Sequence, residues 1–210
     1  MSYEYRSQAA SVVQDVRRVC EMVALDLHIS TFIILYLIII SIGYVICRKR
    51  KRSFIKMSIV TLYSLLLFKV TICPIIFLRQ ESKQMVLQEF GDFFVFYQLI
   101  PFRTIGEVIE AGTWMRQILG NVLLLFPIPM LHMLCNEKVL KIRNYVMIGA
   151  AVSLSIEAIQ WIINMLTQYP SHVADVDDVI VNVFGVFVSA VLVQFLGDSA
   201  FVRKLKMIIK

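Results

Sequence analysis

The sequence predicts an all-α polytopic membrane protein, a helical bundle of about five transmembrane helices preceded by an N-terminal amphipathic helix. Three observations carry this. Of the 210 residues, 59% are hydrophobic and only 17% charged, against nearly half and about a quarter in a soluble domain. Mean hydropathy is +0.75. The apolar residues also gather in long runs and not on alternating faces.

The elements follow in order. From Ser7 to Asp26, Val12, Val16, Val19 and Val23 recur at helical spacing, with Asp15, Arg17 and Arg18 on other faces. Runs long enough to span lie at Ser30–Cys47, Met57–Leu78, Gln117–Cys135, Tyr145–Leu166 and Val179–Gly197. Phe93–Phe102 is too short to span and reads as an interfacial or re-entrant piece. Pro127 and Pro129 interrupt the third run near its middle.

Charge sets the expected topology. The net charge of +6 is gathered in short clusters between apolar runs, which speaks for cytoplasmic loops and against nucleic acid as a partner. Arg48–Arg52, then Lys138, Lys141 and Arg143, then Arg203, Lys204, Lys206 and Lys210 all fall on one side of a five-span chain. That side should be the cytoplasm, with the N-terminus outside and the C-terminus inside. No cleavable signal peptide is expected at the start of the chain, since the first apolar run follows polar residues. Cys20, Cys47, Cys73 and Cys135 are too scattered for a metal motif, and no metal or other cofactor is expected.

The polar residues inside these runs are the candidates for function. Ionisable groups in a membrane segment are costly and usually have a partner or a task. Ser153, Glu157, Gln160 and Asn164 share one face of the fourth run, with Glu157 near mid-membrane. Asp175, Asp178, Asn182, Gly185 and Ser189 form a second stripe on the fifth, with Asp178 near the outer boundary. Asp177 lies off this stripe and is expected to face loop or solvent. Asn121 enters the third run from outside. Lys69 in the second run could meet Glu157 or Asp178, or snorkel to the surface. A ligand-binding pocket open to the outside, centred on Asp178, Glu157, Asn182, Asn121 and Lys69 with Gln160 and Asp175, is the expected site. For Asn121, Gln160 and Asn182, plain interhelical hydrogen bonding is the competing explanation.

Four segments resemble the VanZ-like family of membrane proteins, associated with resistance to the glycopeptide antibiotic teicoplanin. They are Leu65–Lys69, Leu99–Phe102, Asn121–Leu131, and Ser153–Gln160 together with Asp175–Gly185. His172 stands where many relatives carry an Arg, and Gly185-Val186 replaces a Gly-Gly pair. The resemblance covers roughly residues 60 to 197. It divides the chain into an added segment (1–56: amphipathic helix, first span and basic loop), a VanZ-like membrane domain (57–197) and a basic cytoplasmic tail (198–210). It implies a multi-pass protein of the bacterial cell membrane. It also implies lowered teicoplanin susceptibility, with membrane lipids, a lipid-linked cell-wall precursor or teicoplanin itself as partner. The residues leave an intramembrane enzyme for lipid head groups and a small transporter or flippase as alternatives. No catalytic residues are assigned, because HExxH, GxSxG and any nucleophile–base pair are missing from the sequence.

Overall fold

The computed structural model describes residues 22–47, 51–78, 96–136 and 138–197, with positions 84, 199, 202 and 204 besides. In chain order the elements are strand β1 (Met22–Leu25), helices α1 (Ile29–Cys47) and α2 (Lys51–Ile72), and strands β2 (Ile75–Leu78) and β3 (Tyr97–Gln98). They continue with helices α3 (Arg103–Glu110), α4 (Trp114–Leu125), α5 (Pro127–Cys135) and α6 (Ile142–Thr167), strand β4 (Ala174–Asp175) and helix α7 (Val176–Leu196). Among the described residues, five spans are long and apolar enough to cross a membrane, α4 and α5 counting together as one. The protein is all-α in its spans and multi-pass.

The centre of the bundle is α7, which packs against α4, α5 and α6. Leu125, Met133, Tyr145, Ile156, Val186, Ala190 and Val193 form the buried apolar cluster between them. Close approach is possible because small residues stand at the crossings. A Cβ added at Gly185 would lie 2.0 Å from the Val122 carbonyl oxygen, so α4 and α7 touch backbone to backbone there. Helix α1 packs chiefly on α2. Much of the remaining apolar surface, such as Ile34, Ile38 and Phe195, is exposed, as surface meant for lipid should be.

The helical ladder breaks between α4 and α5 at Phe126-Pro127, where proline removes a donor. Tyr63 of α2 donates to the Leu124 carbonyl beside it at 2.9 Å. At the far end of α5, Lys56 donates to the Cys135 carbonyl at 2.8 Å, a cation at a helix C-terminus.

Two expectations are corrected. The second run was expected to continue to Leu78, but α2 stops at Ile72 and the chain becomes strand β2 after Pro74. The residue before a proline is driven out of the helical region, which ends the helix there. The N-terminal amphipathic helix was expected to reach Asp26. Met22–Leu25 is instead a strand, antiparallel to β2, with Val23 opposite Phe77; residues 1–21 of that expectation lie outside the described residues. The piece at 93–102 contributes strand β3, described from residue 96 onward, which pairs in parallel with β4 through Tyr97–Ala174 and Gln98–Asp175.

Candidate functional site

The polar stripe of α6 holds the chain that follows it. Helix α6 is roughly 39 Å long, more than the ~30 Å hydrocarbon core requires. At its C-terminal end Gln168 adopts a left-handed conformation (φ 54°) and the chain turns back. It then descends beside α6 before α7 begins. Asn164 meets it first: its Oδ1 accepts from the Ser171 amide at 3.1 Å, and its Nδ2 donates to the His172 carbonyl. Lower down, Glu157 accepts the Asp175 amide at 2.8 Å. Below that, Asn182 Nδ2 donates to Ser153 Oγ at 2.9 Å. Asn164, Glu157 and Ser153 therefore meet residues successively later in the chain, which is an antiparallel register.

The consequence is that α7 starts deep. From Glu157 to Thr167 helix α6 continues for roughly 15 Å, so the first turn of α7 lies about that far below its neighbour's end. Glu157 and Asp178 were expected at different depths, mid-membrane and outer boundary. The Glu157–Asp175 contact instead puts Glu157 level with the start of α7. Non-helical backbone at such a level needs protein partners, and Asn164 and Glu157 supply them.

The three aspartates divide the work at this helix start. Asp175 is the N-cap of α7, accepting from the Asp177 amide at 2.9 Å, and it also receives Thr104 Oγ1 and Gln98 Nε2. Asp178 accepts from Asn121 Nδ2, tying α7 to α4. Asp177 was expected to face loop or solvent, and this is corrected: it is 1% exposed. Its two oxygens accept the Phe102 amide at 2.6 Å and the Ile105 amide at 3.0 Å. Those amides belong to the N-terminus of α3, which has no side-chain cap of its own, so Asp177 supplies both the acceptors and the negative charge it lacks.

The other expected site residues are placed as follows. Gln160 donates to the Thr71 carbonyl at 2.8 Å, where α2 ends. Asn182 is buried, with its Oδ1 unpartnered. Lys69 donates to the Leu27 carbonyl, between β1 and α1, and is not joined to Glu157 or Asp178. Thus Glu157 meets Asp175 and Asn121 meets Asp178, while Lys69, Gln160 and Asn182 are occupied elsewhere. Among the described residues, no group of three His, Cys, Asp or Glu side chains is arranged to hold a metal ion. His172, in the descending segment, has its pKa pushed below the usual 6.5 by burial.

A groove of about 530 Å³ opens beside this helix start. Leu154, Ala158 and Trp161 of α6, Tyr97 and Leu99 around β3, and Val176 and Val179 of α7 form its largely apolar walls. Glu157 and Asp175 line it as well. Sequence reasoning did not single out these wall residues. The available signal was that Leu154, Ala158 and Trp161 recur at helical spacing directly beside Glu157.

Fold and site together define a polytopic helical membrane protein in which an acidic helix start is sunk into the bundle beside an apolar groove. The family model described as VanZ/LLP1 matches residues 60–197, more than half of the chain, and the protein belongs to this VanZ-like family. No curated protein and no solved structure matches the chain.

Proposed function

We propose that this protein lowers susceptibility to teicoplanin by engaging an acyl-chain amphiphile of the cell envelope, a lipid, a lipid-linked precursor or the lipoglycopeptide itself, in the groove beside Glu157. The observation that carries the reading is the combination of a 530 Å³ apolar groove with carboxylates at one part of its wall. Apolar walls with a few placed polar groups are what an amphiphile needs. In this reading the groove end faces outward, the basic clusters face the cytoplasm and the membrane is bacterial. The VanZ-like domain is residues 57–197, carried between an added N-terminal segment (1–56) and a basic tail (198–210). The polar side chains act mainly as the frame that holds the groove open.

The test is growth inhibition by teicoplanin and vancomycin in a susceptible Gram-positive host. Empty vector, wild type and Ala158→Ile are compared at membrane levels matched by immunoblot. Ala158 is an exposed groove residue, so the added carbons occupy the groove and leave the buried frame alone. The expected result is protection against teicoplanin by wild type, none against vancomycin, and loss of protection in Ala158→Ile. Absence of protection by wild type, or equal protection by the variant, overturns the proposal.

A further inference from the structure

Hydrogen-bond supply and demand at the groove is unequal. Glu157 has two carboxylate oxygens and one described donor, the Asp175 amide. No described Lys, Arg or His pairs with it, and Lys69, the cation of the adjacent span, is turned away to Leu27. Asp178 nearby likewise has one described donor, Asn121. The Asn182 carbonyl oxygen, buried a turn below Asp178, has none. Among the described residues, acceptors around Glu157 therefore outnumber donors and cations, while its carboxylate also lines a groove with apolar walls. A carboxylate in a membrane span calls for a cation or a strong donor.

Resting on the reading of the groove as an amphiphile site, we infer that its ligand has an ammonium head, held by Glu157, and a single acyl or alkyl chain. The chain lies against Leu154, Ala158 and Trp161. The ammonium brings three donors and a positive charge, where the described residues give Glu157 one donor and no cation. A phosphate head brings acceptors and negative charge, and is repelled by the same carboxylates. The groove thus selects the head by charge and the tail by apolar contact.

Trp161 provides the readout. The chain has two tryptophans, Trp114 and Trp161, and only Trp161 lines the groove. In Trp114→Phe protein purified in alkyl maltoside, quenching of Trp161 is titrated with ω-bromododecylammonium and with ω-bromododecyl phosphate. Saturable quenching by the ammonium probe at about tenfold lower concentration than the phosphate probe is expected. Glu157→Gln should erase that preference, and Ala158→Ile should weaken both probes alike. Equal quenching by the two heads, a phosphate preference, or an ammonium preference that survives in folded Glu157→Gln overturns the inference. If Glu157→Gln does not fold, the comparison of heads in the Glu157 protein decides alone. Head selectivity in a protein that gives no teicoplanin protection would leave this inference standing and remove the resistance reading. Protection without head selectivity would do the reverse.

Discussion

Two spans of nearly equal mean hydropathy, 2.5 for Ile29–Ile46 and 2.4 for Val176–Leu196, have very different surroundings: 6% of the first is buried and 39% of the second. Apolarity therefore does not decide which helix forms the centre. What α7 has and α1 lacks is a stripe of small and hydrogen-bonding residues. Asn182 joins Ser153, Gly185 touches the backbone of α4, and Ser189 and Ala190 are fully buried. In lipid there is little hydrophobic gain when two helices meet, so association depends on close packing and on polar pairs. Along α1, described side-chain hydrogen bonds are few, such as Tyr36 to the Ser58 carbonyl and Ser41 to its own Leu37 carbonyl.

The contrast is most sharply tested at Asp177. Replacing it with Ala leaves the part-buried Phe102 and Ile105 amides without their acceptor, at a cost of roughly 1–3 kcal/mol for the two together. A drop of several degrees in apparent melting temperature in detergent is expected for Asp177→Ala. A change of less than a degree would mean that α3 does not need this cap.

An intermediate effect belongs to His172. Its folded-state pKa is held below 6.5 by burial, so the unfolded chain takes up a proton first as the pH falls. The stability that depends on neutral His172 is present above pH 6.5 and is lost as the pH drops below it. Melting curves at pH 7.5 and 5.5 should show a larger fall for the unmodified protein than for His172→Gln. Identical falls would sink the idea that burial of this ring contributes.

The smallest effect should come from the other half of the molecule. Ile38 is half exposed on α1, and Ile38→Ala exchanges protein surface that lipid or detergent already covers. A change within about 0.5 kcal/mol is expected, near the noise of a melting curve. A loss comparable with that of Asp177→Ala would erase the distinction between the two regions.

Much of this was readable in the residues. Runs of apolar residues located the five spans found among the described residues, Pro127 marked the break in the third, and polar spacing found the interior faces of α6 and α7. What escaped has identifiable causes. Pro74 is a stop signal inside an apolar run, hidden because Ile75–Leu78 is as apolar as the helix before it. Asp177 lies off the stripe because it faces α3, and a single polar stripe does not describe a helix packed on several sides. Asp175 followed three residues later by Asp178, directly before an apolar run, is a capping pattern that would have placed the helix start. The descending segment was out of reach, because nothing local in residues 168–175 states that Asn164 and Glu157 will supply their hydrogen bonds.

The attachment of α3 to Asp177 also bears on the order of synthesis. The amides of Phe102 and Ile105 and the edge of β3 meet their partners only in residues 174–177, more than a hundred residues from the N-terminus of α1 and after α6 has been made. A nascent chain released after α6 therefore holds an uncapped helix and a lone strand. The final span brings in the groups that complete both, so insertion of the last helix is the event that finishes a segment translated long before it.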